Sequence, residues 1–292
     1  MPDTLTWRLL LAETAVTLGD RNHARWMCEV ASGCADAEAF AAEIDEPVTE
    51  RMIAHLDAMI ARRQAGEPLQ YVLGRWQFRR LDLMVDRRVL IPRPETEWVT
   101  EVALEIAAQQ SAQNGSGPVT VVDLGTGSGA IGLSLAAELP VGSARIWMSD
   151  VSGAALDVAR ANAAGIGRAA AAVTIVEGSW FAALPAQLTG AIDLVVANPP
   201  YIADGDPQVA ADVREWEPHL ALYSGNDGLD DIRTIVSGAA HWLRPGGVLV
   251  FEIGADQGPA VLELLGGEGL VDTEIRPDLA GRDRIAIGRR AL

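Results

Sequence analysis

Apolar residues in the first seventy positions return every three or four places. Leu5, Leu9, Ala12, Ala15 and Val16 form one such series, and Met52, Leu56, Met59 and Ile60 another. That spacing marks one face of a helix. Asp45-Glu46-Pro47 and Gly66-Glu67-Pro68 interrupt it. A small all-helical N-terminal domain is therefore expected over residues 1–70. The texture then changes. Tyr71-Val72-Leu73-Gly74-Arg75-Trp76-Gln77-Phe78 and Leu81-Asp82-Leu83-Met84-Val85 alternate and carry aromatic and β-branched residues, which predicts a linking β-hairpin over 71–90. Pro92 and Pro94 stiffen the next stretch. A helix is expected from near Glu95 through Trp98, Val102, Leu104 and Ile106, followed by a polar loop over 109–118.

Beyond that loop, strands and helices alternate. Strands are predicted at 119–122, 146–150, 173–176, 192–197 and 248–253, with two more around 273–276 and 285–288. The helices between them run through Leu139, over 154–164, over 229–243 and near 259–265. Arg244-Pro245-Gly246-Gly247 is expected to close the third of these. Such alternation predicts an α/β domain over 91–292, with a mostly parallel seven-stranded sheet covered on both faces.

Composition adds limits. A 292-residue chain that is 49% hydrophobic and 22% charged suits one large or two modest globular domains. No apolar run reaches the ~18 residues of a membrane helix. Met1-Pro2-Asp3-Thr4 does not read as the start of a signal peptide. The expectation is a cytoplasmic protein with no membrane partner. Cys28 and Cys34 lie six apart with only His23 near them, so free thiols are expected and no metal site. All 23 basic residues are arginine, which removes Schiff-base and P-loop lysine chemistry. A net charge of -17 argues against a direct nucleic-acid partner, whose phosphates call for a basic face.

Candidate chemistry lies in two places. Asp123-Leu124-Gly125-Thr126-Gly127-Ser128-Gly129 follows the first strand of the α/β domain and opens a helix. Its glycines permit a sharp turn and close approach of a ligand, and ligands of open parallel sheets bind beyond the carboxyl ends of the strands. Asp150 ends the next strand, where a carboxylate can accept from both hydroxyls of a ribose. Residues Gly127 to Gly132 also fit the dinucleotide pattern G-x-G-x-x-G, with an acid ~20 positions on. A methyl donor and a dinucleotide both remain open on this segment. The Asp-x-Gly-x-Gly-x-Gly form favours the donor, which has no pyrophosphate to seat on a helix N-terminus.

The second place is Asn198-Pro199-Pro200-Tyr201, at the end of the fourth strand of that domain. A primary amide or aryl amine nitrogen has two N–H donors and a lone pair delocalised into its π system. The Asn198 side-chain oxygen and the Pro199 carbonyl can each accept one N–H. Acceptors fixed off the amide plane favour a more tetrahedral nitrogen, which is preorganised electrostatic stabilisation. The two prolines restrict the backbone, and the Tyr201 ring can cover a flat group. No strong base is needed before attack, because the nitrogen becomes acidic only once alkylated.

With these motifs in view, the chain resembles the bacterial peptide chain release factor glutamine methyltransferases, the PrmC/HemK family. The resemblance covers nearly the whole chain. It rests on Tyr71-Val72-Leu73-Gly74, Ile91-Pro92-Arg93-Pro94-Glu95-Thr96-Glu97, residues 123–129, Ser179-Trp180-Phe181, residues 198–201 and the acidic stretch 212–218. It implies a class I S-adenosylmethionine-dependent methyltransferase fold, Rossmann-like, with a helical domain that docks the substrate. It also implies methyl transfer to the N5 amide nitrogen of glutamine in the Gly-Gly-Gln motif of class I release factors, supporting translation termination. S-adenosyl-L-homocysteine would be the product and a monomer the working form. Carried over by position, Gly125, Thr126, Gly127, Ser128, Gly129, Asp150, Trp180 and Asn198 would bind the cofactor. Asn198, Pro199, Pro200 and Tyr201 would bind the substrate, with Asn198, Pro199 and Tyr201 catalytic. The chain departs from the family pattern at Ser128, where Thr is common, and at Trp98, where an aliphatic residue is usual.

Some positions keep two readings. Arg93, Glu95 and Glu97 either shape a substrate entrance or form a salt-bridged helix start. Trp180 either contacts adenine or belongs to the core. Asp204, Asp206, Asp212, Glu215 and Glu217 either steer a basic partner segment or form a solvated loop. Among activities, a nucleic-acid amine methyltransferase, a ribosomal-protein glutamine methyltransferase and a non-catalytic binding factor are the competing expectations.

Overall fold

The structure is a computed structural model and describes residues 5–113 and 117–292. It divides into two compact units, ending and beginning at Arg75 and Trp76.

The first unit is helical: α1 (Trp7–Leu18), α2 (Arg21–Ser32), α3 (Ala37–Ala42), α4 (Glu50–Gln64) and α5 (Leu69–Leu73). Gly19 ends α1 in the left-handed region, and the next residue, Asp20, caps α2 by accepting from the Asn22 and His23 amides. A helix stop followed at once by an N-cap turns the chain back on itself, so α1 and α2 pack side by side. Trp7, Met27, Leu56 and Met59 fill the core between the helices, with Trp7 edge-on to Phe40. Cys28 is a buried free thiol and Cys34 a half-buried one; burial pushes the Cys28 thiol up to about 12. Arg62 closes the unit by pairing with Glu67 and donating to the Tyr71 and Val72 carbonyls.

Here the structure corrects the sequence reading. Tyr71, Val72 and Leu73 are helical, not the start of a strand. Pro68 precedes this single turn, and Gly74, at φ 71°, ends it by donating to the Gln70 and Tyr71 carbonyls. The hairpin itself is shorter, β1 (Arg75–Phe78) with β2 (Leu81–Met84).

The second unit continues with α6 (Pro94–Gln113), β3 (Val119–Leu124), α7 (Ala130–Glu138), β4 (Ala144–Asp150), α8 (Gly153–Gly165), β5 (Val173–Glu177), β6 (Ile192–Ala197), α9 (Ala211–Trp216), α10 (Asp230–Trp242), β7 (Leu243–Glu252), α11 (Gly258–Gly267), β8 (Leu270–Pro277) and β9 (Asp283–Arg290). The expected loop over 109–118 is in part helix, since α6 runs on to Gln113; residues 114–116 lie outside the described residues. Arg244-Pro245-Gly246-Gly247 does not simply close α10. β7 has already begun at Leu243, and these four residues bulge out between the pairs Ile192–Leu243 and Leu194–Val248.

Among the described residues, seven strands form one sheet in the order β5-β4-β3-β6-β7-β9-β8. β5, β4, β3, β6 and β7 are parallel, and β9 is antiparallel to both neighbours. Every residue of β6 is buried, and its core neighbours come from β3, β7 and α10. Strands covered on both faces explain the unbroken apolar runs in the sequence. The chain leaves β3 towards β4 on one side and returns to β6 on the other. A crevice opens at such a reversal, beyond the carboxyl ends of the strands.

Close packing of α7 on β4 keeps the loop after β3 tight. A Cβ on Gly132 would lie 2.6 Å from Met148 Cγ and 3.0 Å from Asp123 Oδ2. The third glycine of the dinucleotide-like pattern is thus required by helix–strand packing and says nothing about the ligand. Gly132→Ala should cost about 1–3 kcal/mol through overpacking, read as a lower midpoint in urea unfolding. An unchanged midpoint would show that α7 has room to move.

Candidate active site

Two cavities open at the strand-order reversal. One, of about 270 Å³, is lined by the loop after β3, by Asp150 and by Trp180. The other, of about 330 Å³, is lined by Arg93, Pro199, Tyr201 and the apolar side chains of Val209 and Val213. Asn198 lines both, as do Leu90 and Ala221. Pro200 faces the first cavity, while Pro199 and Tyr201 face the second. The tetrapeptide therefore forms part of the wall between them.

The first cavity is built from carboxylates and backbone. Asp123, at 1% exposure, accepts through Oδ2 from the Thr126 hydroxyl at 2.6 Å and from the Gly132 amide at 2.9 Å. This folds the glycine loop over the end of β3. Asp150 accepts from the Gly127 amide at 2.9 Å through Oδ2 and from the Ser152 amide at 2.9 Å through Oδ1. Each of its oxygens keeps a further lone pair for a ligand hydroxyl. Burial raises the Asp150 carboxyl above its ordinary range. Gly125, Thr126, Gly127 and Ser128 line the cavity, but Gly129 does not: its amide donates to the Thr126 carbonyl and shapes the turn.

Trp180 is partly buried. It packs against the apolar core and also lines the cavity. Its backbone lies at φ 45°, in the left-handed region, a strained conformation for a bulky residue. Its indole N–H donates to Asp231, which in turn accepts from the Ser224 hydroxyl. A Cβ on Gly125 would come within 3.1 Å of the Trp180 ring, so glycine is needed for the loop to lie against the indole.

At the wall, Asn198 is held by groups far away in sequence. Its Nδ2 donates to the Thr96 hydroxyl oxygen at 3.1 Å, and that hydroxyl donates to Glu252 at 2.6 Å. The Tyr201 hydroxyl donates to the other Glu252 oxygen at 3.1 Å. Burial raises both the Glu252 carboxyl and the Tyr201 phenol above their ordinary values. Sequence reasoning missed Glu252 entirely and passed over Thr96 inside a motif it had noticed. A carboxylate directly after the apolar run Val248 to Phe251 was the available signal.

The charged run at the start of α6 resolves as an anchored helix start. Arg93 pairs with Glu217 at 2.5 Å, and the Ile91 amide donates to the same carboxylate at 3.1 Å. Glu97 accepts from the Arg79 amide at 3.0 Å, and Glu95 lies 3.4 Å from Arg282. Arg93 also lines the second cavity. Glu217 thus departs from the solvated-loop expectation because it is buried and paired, whereas Asp204, Asp212 and Glu215 are exposed.

Known proteins resemble this chain. The family "PrmC N-terminal domain" matches residues 7–74, and "Methyltransferase small domain" matches residues 106–214. A release factor glutamine methyltransferase of Burkholderia pseudomallei is 45% identical over 248 residues, covering 84% of each chain. The chain belongs to the release factor glutamine methyltransferase family. Another member, from Geobacter sulfurreducens, is 39% identical over 287 residues, covering 98% of this chain and 95% of that one. A methyltransferase crystal structure from Pyrococcus furiosus shares the fold, with a TM-score of 0.50 at 17% identity, over 81% of this chain and 98% of that one. Among the described residues, no helix is long and apolar enough to cross a membrane.

Asp123 gives this site a pH signature. Among the described residues its Oδ1 has no hydrogen-bond partner, and burial raises the carboxyl from 3.8 to about 6. The folded chain therefore holds this proton more tightly than the unfolded chain does. The resulting stabilisation is complete below about pH 4 and is lost as pH rises through about 6, a change of about 3 kcal/mol. Asp123→Asn, which does not titrate, should gain on the unsubstituted protein by up to that amount from about pH 4 to about pH 7 in urea unfolding. A stability difference flat with pH would contradict a buried, titrating Asp123.

Proposed function

We propose that the protein transfers a methyl group from S-adenosyl-L-methionine to the side-chain amide nitrogen, N5, of the glutamine in the Gly-Gly-Gln motif of class I peptide chain release factors, supporting translation termination. The observation that carries this reading is the placement of Asn198 on the wall between two cavities, its amide nitrogen held from behind. It gains weight from the family to which the chain belongs.

The residues of the first cavity fit the cofactor. Asp150 and the glycine loop from Gly125 to Ser128 would hold its ribose and amino-acid portions, and Trp180 its adenine. The cavity is lined by Asp150 and Asp231, while its Arg88 is already paired with Asp86 at 2.6 Å. Such a lining suits a cationic sulfonium better than a pyrophosphate. The Gly127 amide is also engaged by Asp150 and not free for phosphate. The bound cofactor supplies an electrophilic methyl group, and S-adenosyl-L-homocysteine is the product.

Glutamine enters through the second cavity. Asn198 Oδ1 and the Pro199 carbonyl accept its two N–H groups and draw the nitrogen lone pair out of the amide plane. Pro199 and Pro200 fix that carbonyl in advance. Tyr201 and the apolar side chains of Val209 and Val213 exclude water around the amide. Exposed Asp204, Asp212 and Glu215 steer a basic surface of the release factor, and the helical N-terminal unit contributes to docking. A monomer is the working form.

Purified protein, labelled S-adenosylmethionine and a release factor test the reading directly. Label should pass to the intact factor and not to one carrying Gln→Ala in the Gly-Gly-Gln motif, nor to DNA or RNA. Equal labelling of both factors, or transfer to nucleic acid, would sink it. Asn198→Ala should lower kcat by at least about 100-fold while S-adenosylmethionine still binds within a few-fold of the original affinity by calorimetry. Unchanged turnover would remove Asn198 from the chemistry.

A further inference from the structure

Glu252 is the last residue of β7 and is 1% exposed. A buried carboxylate is costly unless its oxygens are satisfied, and here each takes one hydroxyl: Oε2 that of Thr96, Oε1 that of Tyr201. The Arg284 guanidinium is buried nearby, donates to the Ile253 carbonyl at 3.0 Å and favours the charged form of Glu252. Glu252 lines neither cavity, so it does not meet a ligand itself.

Proton counting along the chain of groups fixes a direction. A carboxylate only accepts. Thr96 has one hydroxyl proton, and Glu252 takes it at 2.6 Å. Towards Asn198 the Thr96 oxygen can then only accept, so it must meet the NH2 end of that amide, as it does at 3.1 Å. The Asn198 oxygen is left turned away from Thr96. An amide with its ends exchanged would offer N–H groups to a substrate that itself brings N–H groups, and the two would repel.

We propose that Glu252 is a positioning residue that, through the Thr96 hydroxyl, dictates which end of the Asn198 amide faces the substrate, and through the Tyr201 hydroxyl holds the ring of the acceptor cavity. The inference rests on the reading of Asn198 as the acceptor for the glutamine amide. It also gives part of the Ile91-Pro92-Arg93-Pro94-Glu95-Thr96-Glu97 motif a task, with Arg93 anchored by Glu217 and Thr96 delivered to Asn198.

Three variants test it. Thr96→Val keeps the shape but cannot relay the direction. Thr96→Ser keeps the hydroxyl. Glu252→Gln puts an N–H donor against Thr96 or against Tyr201, and so breaks one arm. Thr96→Val and Glu252→Gln should each lower kcat by roughly 10- to 100-fold, the scale on which loss of an orienting partner acts. KM for the release factor and Kd for S-adenosylmethionine should stay within about threefold. Thr96→Ser should retain most of kcat. A second readout needs no turnover. The nitrogen-15 resonance of the Asn198 side-chain amide, assigned with Asn198→Asp, should shift in Thr96→Val and stay in place in Thr96→Ser.

Full kcat in Thr96→Val or in Glu252→Gln, or an amide resonance that does not move in Thr96→Val, would each overturn the proposal. If Glu252→Gln does not fold, the Thr96 pair carries the test alone. If the unsubstituted protein does not methylate a release factor, the functional reading fails, and the amide resonance still decides whether Thr96 orients Asn198.

Discussion

The reversal of strand order between β3 and β6 is the constraint on which the site depends. Helices leaving β3 and β6 diverge to opposite flanks, so the carboxyl ends of these strands are left uncovered. Several groups given a chemical role stand within a few residues of a strand's carboxyl end. Asp123 and the glycine loop follow β3, Asp150 ends β4, the tetrapeptide follows β6, and Glu252 ends β7. The sheet is stiff because both faces are packed, and its stiffness passes to side chains that must be held to fractions of an ångström.

Around that crevice the chain spends buried charge sparingly and in pairs. Glu252 is satisfied by two hydroxyls and Glu217 by Arg93 and a backbone amide. Asp123 satisfies one oxygen, and the other has no partner among the described residues. Satisfied groups of this kind rigidify their surroundings. At the wall between the cavities such rigidity is what a delocalised amide nitrogen requires, because acceptors that could follow the amide plane would not draw its lone pair out of it.

How far the sequence revealed this depended on distance along the chain. The glycine loop and the Asn-Pro-Pro-Tyr turn are local strings, each legible because a strand with a glycine or proline boundary ends at it. The parallel sheet was legible too, since strands buried on both faces read as unbroken apolar runs. Thr96 and Glu252 lie 156 residues apart, and Arg93 and Glu217 lie 124 apart. No periodicity joins such pairs; the fold alone does. Short segments failed for a different reason. Tyr71, Val72 and Leu73 have strand-like side chains, but Pro68 and Gly74 bound them into a single helical turn, and one turn is too short to show a period.

The central claim is that a flat glutamine nitrogen is held by the Asn198 oxygen and the Pro199 carbonyl, facing a methyl donor across the wall. A crystal structure of the protein with S-adenosylhomocysteine and a Gly-Gly-Gln peptide examines it most directly. The glutamine nitrogen should lie about 3 Å from both oxygens, with Asn198 Nδ2 still on Thr96 and the cofactor beside Asp150. A glutamine bound elsewhere, or an Asn198 amide turned with its nitrogen towards the peptide, would contradict it.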